Sequence, residues 1–474
     1  MSQDTLIIKF GGTSVGSVEA MGKAVQIISR LSREWPHLVV VTSALSGITD
    51  LLLREANRAA KTGEASHLEA AEAELRTRHQ SIAEALLPDD LRAPVMEEIQ
   101  QLIGNFSQLS RAIAVLGEAT PRALDAIASL GERMSVRLLS AACRAQGLAT
   151  HAIEASQLIL TDDRFQNAHP DFTATTGRAR AVLWPLLQAG RIPVVTGFIG
   201  ATPQGVVTTL GRGGSDYSAA ILGAVLPAQE VWIYTDVDGV MTADPRLVPE
   251  ARTLAEISYR ELSELAYYGA KVVHPKTVRP VIEAGIGLRI CNTFNPDHPG
   301  TRVVPERVET NGQALRAVTA IRGQRLVTIE GRGMLGVPGV AARAFGAVAS
   351  TGTSVPFITQ ASSEQSICFS IPSTAHEEVI RALQQAFTLE LNRGDIDRVW
   401  ASEEIAIITV VGQGMRETPG VAGKIFSALG NENINVWAIA HGSSDVSISL
   451  VVAQEDTERA VRAIHRLIVD HGAA

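Results

Sequence analysis

Cysteine is scarce in this chain: three cysteines are scattered over 474 residues. An odd and widely spaced set predicts neither a disulfide framework nor a zinc site. Long apolar runs are missing as well, because no stretch approaches the roughly 18 apolar residues of a membrane-spanning helix. The first residues have neither the basic nor the apolar segment of a signal peptide. We therefore expect a cytoplasmic protein with no metal site of its own and no membrane contact.

Basic residues are fewer than acidic residues in this chain. The chain has 42 basic and 50 acidic residues, which gives a net charge of −8. Nonspecific binding to nucleic acid needs clustered positive charge, so this balance argues against a nucleic-acid partner. What the chain does have is 46% hydrophobic and 19% charged residues, which is typical of a soluble globular protein. Its length suits two to four domains.

The first three-fifths of the sequence alternate between strand-like and helical segments. A buried strand is predicted over 5–10, a second over 38–44, a helical insertion over about 51–142, and further strands at 191–200, 205–210 and 230–236. Between the first two strands, apolar residues recur every three or four positions, as on one helix face: Val18, Met21, Val25, Ile28 and Leu31. Apolar runs separated by helices predict an α/β fold with a mainly parallel sheet sandwiched by helices.

A stretch rich in proline, glycine and charge at 295–313 is our predicted domain boundary. Beyond it the sequence repeats itself with an offset of 81 residues, and the matched pairs include Met334 with Met415, Pro338 with Pro419, and Phe345 with Phe426. Each copy predicts the strand and helix order of a ferredoxin-like domain. The second copy lacks a last strand, whereas a spare strand-like run, 314–321, precedes the first copy. We hypothesise that this run completes the sheet of the second copy.

Two glycine-rich loops follow predicted strands. The first, "KFGGTSV", begins at Lys9 and is not a Walker A motif. Its glycines would let backbone N–H groups approach an anion, beside the positive end of the next helix; the alternative is a plain turn with a surface lysine. The second, "TTLGRGGSDYSAA", contains Arg212 as a carboxylate or phosphate clamp, while Asp216 could be a simple helix cap. Two such loops can converge at the carboxyl edge of one sheet.

The order of the motifs resembles that of the aspartate kinases. "KFGGTSV", "TSALSGITDLL", "SLGERMS", "VVTGFIG", "TTLGRGGSDYSAA", "TDVDGVMTADPR" and "GAKVVHPKT" succeed one another, and the two repeats resemble the paired ACT domains of that family. The resemblance implies an amino-acid-kinase catalytic domain over 1–302 and ferredoxin-like ACT domains over 314–398 and 399–474. Because the chain ends soon after the second repeat, the resemblance implies a monofunctional enzyme.

The same resemblance implies the reaction and the residues that carry it. The β-carboxylate of L-aspartate would be phosphorylated to 4-phospho-L-aspartate, the first step of lysine, threonine and methionine biosynthesis, with Mg-ATP as substrate and no organic cofactor. The catalytic residues would be Lys9 and Asp216. The aspartate-binding residues would be Thr49, Glu132, Arg212 and Ser215. The ATP-binding residues would be Lys9, Gly11, Gly12, Thr235, Asp236, Met241, Arg246 and Lys271. Met241 stands where the family commonly has a tyrosine.

The repeats would bind an amino-acid effector through Met334, Gly339, Gln360 and His441. Gln360 ends a strand of the first copy as in threonine-sensitive relatives, whereas His441 replaces that glutamine in the second copy. Lysine-sensitive relatives have an acid where this chain has Pro356. The pattern therefore favours threonine over lysine, and the second effector site could be altered. Such repeats pair across subunits, so a homodimer or homotetramer is expected.

Two other functions remain open at this point. The chain could be an amino-acid kinase of the same architecture that acts on N-acetylglutamate, glutamate or a nucleotide, although "GERMS" and the paired repeats argue against it. It could also be an amino-acid sensor with an inactive kinase half. The presence of Lys9, Glu132, Arg212, Asp216 and Lys271 argues against the sensor.

Overall fold

The computed structural model describes residues 4–269, 273, 275–305, 314–334, 337–360, 365–441 and 446–470. Their packing divides into two compact units. The first contains the described residues within 4–240, 253–259 and 273–305, and the second those within 241–252, 260–269 and 314–470. None of the helices in this described part of the chain is both long enough and apolar enough to cross a membrane.

The elements up to residue 305 build the first unit, except that most of α9 belongs to the second. The strands are β1 (Thr5–Phe10), β2 (His37–Thr42), β3 (Thr150–Ile153), β4 (Ile192–Thr196), β5 (Ile199–Ala201), β6 (Val207–Thr209), β7 (Glu230–Thr235), β8 (Glu256–Ser258), β9 (Gly287–Asn292) and β10 (Thr301–Val304). The helices are α1 (Gly12–Val15), α2 (Val18–Glu34), α3 (Ile48–Thr62), α4 (Leu68–Leu86), α5 (Asp89–Leu116), α6 (Pro121–Ala145), α7 (Phe172–Gln188), α8 (Gly214–Val225), α9 (Tyr259–Tyr267) and α10 (Pro275–Glu283).

The central sheet has β1 in its interior. Among the described residues its strand order is β3-β4-β2-β1-β7-β9-β10-β8, and all neighbours are parallel except β9 with β10. Every residue of β1 is buried, because strands with helices on both faces must be apolar throughout. The parallel register brings the carboxyl ends of β1, β2 and β7 to one edge of the sheet, which is where ligands bind in such folds.

Local chemistry explains why the helices begin where they do. The hydroxyl of Ser17 accepts a hydrogen bond from the N–H of Ala20 at 3.1 Å and so caps α2. Thr120 caps α6 in the same way, and Pro121 occupies the first turn. The apolar face predicted for α2 packs on the sheet, and the insertion predicted over about 51–142 is helical, as α3 to α6. Both expectations are confirmed.

Two features of the first unit differ from the sequence expectation. Strands β5 and β6 form a separate antiparallel pair, because the short connection between Ala201 and Val207 can close a hairpin but not a parallel crossover. The stretch 295–313 is not all linker either, since β10 lies in it and pairs with β9 and β8. Here pairing with the sheet outweighs the turn-forming residues on either side.

The second unit is built mostly from the repeats. Its strands are β11 (Ala317–Glu330), β12 (Phe357–Gln360), β13 (Ser366–Pro372), β14 (Arg398–Val411), β15 (Ala438–Ala440) and β16 (Ser447–Ala453). Its helices, besides α9, are α11 (Val340–Ser350), α12 (His376–Ala386), α13 (Thr388–Arg393), α14 (Val421–Asn431) and α15 (Thr457–Asp470). Helices α11 and α14, and strands β13 and β16, are offset by the 81 residues of the sequence repeat.

The two repeats share their long strands. In the described residues the sheet order is β12-β13-β11-β14-β16-β15. The first part of β11, Ala317 to Ile321, pairs with Val411 to Ile407 of β14, which in turn pairs with β16. The second part of β11, Gln324 to Glu330, pairs with β13 of the first repeat. This is the pairing hypothesised from the sequence for the run 314–321: a strand that precedes the first repeat lies in the sheet of the second.

The segment 241–252 also packs with the second repeat. Ala243 and Val248 are buried in one apolar cluster with residues of β14, β16, α14 and α15. The hydroxyl of Thr242 lies 2.9 Å from Nε2 of His465, and burial lowers the pKa of that imidazole. The backbone N–H of Val318 donates to the carbonyl of Thr242 at 2.8 Å. A single division of the chain near residue 302 therefore does not describe how this segment packs.

The nested pairing predicts which strands respond to a substitution in β11. Val318 is 2% exposed and lies in the apolar cluster of the second repeat. Val318→Ala should lower the free energy of unfolding of that repeat by about 2 kcal/mol, because two buried methyl groups are lost. Hydrogen exchange should accelerate in β16 and much less in β13. Leu389→Ala, at a site 65% exposed, is the control. Faster exchange confined to β13 would contradict the nested arrangement.

Candidate active site

Lys9 and Asp216 form an ion pair at the carboxyl edge of the central sheet. Lys9 is the penultimate residue of β1 and is 8% exposed. Asp216 lies in the first turn of α8, and its Oδ1 is 2.5 Å from the Nζ of Lys9. The side chains of both residues are largely withdrawn from solvent, at 10% and 14% exposure. The pair fixes the ammonium group at the N-terminal end of a helix, where the helix dipole also favours an anion.

A cavity of about 710 Å³ opens beside this pair. It contains seven of the residues predicted to bind aspartate or phosphate: Lys9, Gly12, Thr49, Glu132, Arg212, Ser215 and Asp216. These residues come from β1, α1, α3, α6, α8 and the loop before α8, so segments more than 200 residues apart in sequence meet here. The cavity also contains residues that the sequence analysis did not select, among them Ser43, Asp50, Asp125, Gln166, Phe198 and Thr209.

Close packing against the protein itself is one reason why the first glycine loop needs a glycine at position 12. A Cβ on Gly12 would lie 3.1 Å from the carbonyl oxygen of Ala44 and 3.3 Å from the Cα of Ser46. The N–H of Gly11 donates to the carbonyl of Tyr234 at 3.3 Å. Of these two glycines, both predicted to bind ATP, Gly12 lines the cavity, whereas the amide of Gly11 is hydrogen-bonded to β7.

The second glycine loop needs its glycines for a different reason. Gly211 and Gly213 have φ values of 77° and 71°, which favour glycine. A Cβ on Gly211 would lie 2.8 Å from the carbonyl oxygen of Gln166. Between these two glycines, Arg212 is exposed at the cavity. Within the described residues its guanidinium forms no ion pair, so its charge is available to an anionic ligand.

Glu132 is a buried carboxylic acid with few partners. It is 3% exposed, and its Oε1 accepts one hydrogen bond, from the N–H of Ala44 at 3.3 Å. No hydrogen-bond partner is found for its Oε2 among the described residues. Burial raises the pKa of this carboxyl group from 4.5 to about 8. A ligand cation at the cavity would stabilise the ionised form. The neighbouring Arg133 instead pairs with Glu154, its Nε 2.9 Å from Oε1, and has a structural role.

Asp125 belongs to the cavity wall and was missed from the sequence. It precedes Glu132 by seven residues, or two turns of α6, so both carboxyl groups lie on one helix face. Its oxygens accept hydrogen bonds from Gln166 and Thr209, which lie far away in the sequence. The spacing from Glu132 is the signal that could have found it. Its partners could not have been found without the fold.

The predicted ATP-binding residues are not all gathered at this cavity. Thr235 is the last residue of β7, so Thr235 and Asp236 lie at the same edge of the central sheet as Lys9. The hydroxyl of Thr235 donates to Oδ1 of Asp236 at 3.1 Å. Met241 and Arg246 belong to the second unit. The Nη2 of Arg246 lies 2.6 Å from Oδ2 of its neighbour Asp244. Lys271 lies outside the described residues. The assignment of these five residues to ATP stays a prediction.

The predicted effector residues lie on the repeats. Met334 is buried, and Gly339, with φ of 91°, precedes α11. Gln360 is the last residue of β12, an edge strand of the shared sheet, and His441 directly follows β15, the opposite edge strand. Both side chains are exposed. Among the described residues, no group of three or more His, Cys, Asp or Glu side chains could hold a metal ion.

The elevated pKa of Glu132 predicts a pH-dependent stability. Above pH 4.5 the unfolded chain releases this proton, whereas the folded chain keeps it until about pH 8. The free energy of unfolding therefore falls as the pH rises through that window. Glu132→Gln should remove this loss and be more stable than the unmodified protein by at least about 2 kcal/mol at pH 8, but not at pH 4.5. Urea denaturation without ligands at the two pH values measures the difference.

The exposed Glu97 provides the control, since Glu97→Gln should leave the pH dependence unchanged. A stability difference between Glu132→Gln and the unmodified protein that does not change with pH would mean that Glu132 is ionised in the folded state.

Sequence comparisons agree with this architecture. The amino acid kinase family matches residues 4–292, and an ACT domain matches residues 327–387 and 408–467. Bifunctional aspartokinase/homoserine dehydrogenase 2 of Arabidopsis thaliana is 38% identical over 466 residues, which are 96% of this chain and 50% of the plant protein. This chain thus spans about half the length of the bifunctional relatives. Lysine-sensitive aspartokinase 3 of Escherichia coli is 34% identical over 465 residues, 98% of each chain.

Solved structures give the same result. Escherichia coli aspartokinase III in complex with aspartate and ADP, described as the R-state, superposes with a TM-score of 0.83 and 32% identity, covering 98% of this chain and 100% of that chain. The aspartate kinase of Clostridium acetobutylicum gives a TM-score of 0.78 at 26% identity, covering 98% of this chain and 100% of that chain. On the family match, the relatives and the shared fold, this chain belongs to the amino acid kinase family and, within it, to the aspartokinases.

Proposed function

We propose that the protein transfers the γ-phosphoryl group of ATP to the β-carboxylate of L-aspartate, forming 4-phospho-L-aspartate and ADP. One observation carries the proposal: a single cavity contains the under-bonded carboxyl group of Glu132, the exposed guanidinium of Arg212 and the ammonium of Lys9. An amino acid presents an ammonium and a carboxylate that match the first two groups. A phosphoryl group needs the third.

The proposed reaction requires the protein mainly to position the two substrates and to stabilise negative charge on the transferred phosphoryl group. A β-carboxylate oxygen attacks the γ-phosphorus, an oxygen–phosphorus bond forms, and the bond to the bridging oxygen of ADP breaks. The nucleophile is already ionised at neutral pH, so no general base is required. Lys9, held by Asp216 at 2.5 Å, and the N-terminus of α8 would stabilise negative charge on the transferred group. Magnesium would arrive with ATP, bound mainly by its phosphates.

The remaining roles follow the same logic. Thr49 and Ser215 line the cavity and would hydrogen-bond the acceptor. Thr235, Asp236, Met241, Arg246 and Lys271 are proposed for ATP on the resemblance of their motifs to those of the aspartokinases. The relative solved with aspartate and ADP supports the choice of substrates.

Turnover should depend on L-aspartate and on Lys9. Lys9→Met should lower kcat/KM by at least about 1,000-fold, because the charge on the transferred phosphoryl group loses its nearest cation. Arg212→Ala should chiefly raise the KM for aspartate, by about tenfold or more, because it removes a charge-assisted hydrogen bond. Coupled detection of ADP with Mg-ATP and L-aspartate measures both. Lys61→Met, on the exposed end of α3, is the control.

The competing functions give different results in the same assay. Turnover with glutamate or N-acetylglutamate in place of aspartate would indicate another amino-acid kinase. ATP binding by the folded protein without turnover of any of these acceptors would indicate a sensor with an inactive kinase half.

Regulation is the second part of the proposal. We infer that the repeats bind an amino-acid effector, with threonine favoured over lysine, in a cytoplasmic homodimer or homotetramer that supplies lysine, threonine and methionine synthesis. Gln360 supports threonine by its place at the end of β12. A solved relative contains lysine and aspartate, so lysine is the alternative effector to be tested.

Threonine should inhibit turnover at lower concentration than lysine. Gln360→Ala should raise the inhibitory concentration of threonine by about tenfold, because a direct hydrogen bond to the effector is lost. His441→Ala should have a smaller effect, since the second copy departs from the threonine-sensitive pattern. Gln385→Ala, at an exposed position of α12, is the matched control. Inhibition titrations at constant aspartate decide the matter, and stronger inhibition by lysine would overturn the choice of threonine.

A further inference from the structure

Asp125 is the most completely hydrogen-bonded carboxylate at the candidate active site. It lies on α6 and is 1% exposed. The N–H of Gln166 donates to both of its oxygens, at 3.1 Å and 3.0 Å. The N–H of Thr209 donates to Oδ2 at 2.8 Å, and the hydroxyl of Thr209 donates to Oδ1 at 2.7 Å. Burial raises the pKa of this carboxyl group, and the same hydrogen bonds lower it in part.

Asp125 holds two segments, one at Gln166 and one at Thr209. Both support the loop 210–213 between β6 and α8, which we call the Arg212 loop. Thr209 ends β6, three residues before Arg212. Gln166 has a φ of 67°, a left-handed conformation that is unfavourable for a residue with a side chain. A Cβ on Gly211 would lie only 2.8 Å from the carbonyl oxygen of Gln166, so the loop packs closely against this residue. Asp125 thus fixes the start of the loop and the surface against which the loop packs.

The two segments are also joined directly. The N–H of Ala168 donates to the carbonyl of Thr209 at 3.0 Å. Arg212 itself receives no support from an ion pair among the described residues. Its position depends on the backbone of its loop, and that backbone depends on the two segments that Asp125 holds.

A carboxylate is the side chain that this arrangement requires. Three donor groups from two segments need acceptors on both oxygens at once. An asparagine would present one acceptor oxygen, and its NH₂ group would face a backbone N–H. Among the described residues no cation pairs with Asp125, and a buried anion held only by neutral donors is costly. A carboxylate at this position therefore indicates a role that a neutral residue cannot fill.

We infer that Asp125 is a positioning residue that holds the Arg212 loop in the geometry that binds the α-carboxylate of the phosphoryl acceptor, an assignment of substrate that rests on the function proposed above. Asp125 would act through Gln166, Thr209 and Gly211 on Arg212, and not on the reacting β-carboxylate and γ-phosphorus.

The test compares Asp125→Asn with Asp162→Asn. Asp162 is the matched control because its Oδ1 also accepts backbone N–H groups, from Arg164 and His169, at the base of the same 162–169 loop. Asp125→Asn should raise the KM for aspartate by about tenfold or more, as expected for loss of hydrogen bonds to a charged acceptor. The KM for ATP should stay within about twofold. Asp162→Asn should change neither.

Hydrogen exchange provides a readout that does not depend on the substrate. Amides of the 162–170 and 205–216 segments should exchange at least about tenfold faster in Asp125→Asn than in Asp162→Asn, while β1 and β2 keep their protection. Thr209→Val removes the hydroxyl donor alone and keeps the proposal testable if Asp125→Asn does not fold. It should shift the KM for aspartate in the same direction by a smaller factor.

The outcomes separate the inference from the proposed function. Equal rises in both KM values together with loss of protection throughout the first unit would overturn the inference in favour of a general structural role. Unchanged kinetics and exchange in both Asp125→Asn and Thr209→Val would overturn it as well. If the unmodified protein does not use aspartate but Asp125→Asn still loosens the 205–216 segment, the proposed function fails and the positioning of the Arg212 loop stands.

Discussion

The interaction on which the site depends is the ion pair between Lys9 and Asp216. It forms at the end of the fully buried strand β1, which pairs with β2 on one side and β7 on the other. A pair withdrawn from water costs desolvation energy, and only good geometry offsets that cost. The parallel sheet supplies this geometry by fixing the end of β1, and α8 supplies the carboxylate. When an anionic group enters the cavity, it meets an ammonium that is already oriented, so little reorganisation is needed at that moment.

The two carboxyl groups of α6 illustrate how surroundings decide the role of one residue type. Asp125 and Glu132 lie two turns apart, and both are almost fully buried. Three donor groups satisfy the oxygens of Asp125, whereas Glu132 receives one N–H and keeps an oxygen without a partner among the described residues. The first arrangement is complete within the protein and organises backbone. The second is incomplete, and a ligand cation would complete it. Burial alone would not have distinguished the two; the donors around them do.

Much of the fold was predictable from the sequence because local and long-range signals agree there. The apolar spacing of α2, the glycines next to β1 and α8, and the 81-residue repeat each have one simple structural solution. The failures have physical reasons. Strand β10 lies among turn-forming residues and is stabilised by its neighbours in the sheet. Asp125 was missed because its partners lie 41 and 84 residues away. The segment 241–252 joins the second unit because Ala243 and Val248 are buried there, and their sequence motif carries no sign of that burial.

The nested strands couple the two repeats into one continuous sheet. Each half of β11 pairs with a different half of β14, so neither repeat has a complete sheet without a strand that the other also uses. A second apolar cluster, with Leu326, Phe357, Ile405 and Val451, contains residues from both repeats. Displacement of β12 or β15 by a bound molecule would therefore change packing in both repeats, because close-packed interiors transmit strain.

The segment 241–252 is hydrogen-bonded to the same shared strand through Thr242. The carbonyl of Thr242 accepts from the N–H of Val318, and its hydroxyl lies within hydrogen-bond distance of His465. That segment contains Met241 and Arg246, two of the residues proposed to bind ATP. A change in β11 or α15 would therefore act on Thr242, which is adjacent to Met241 and four residues before Arg246.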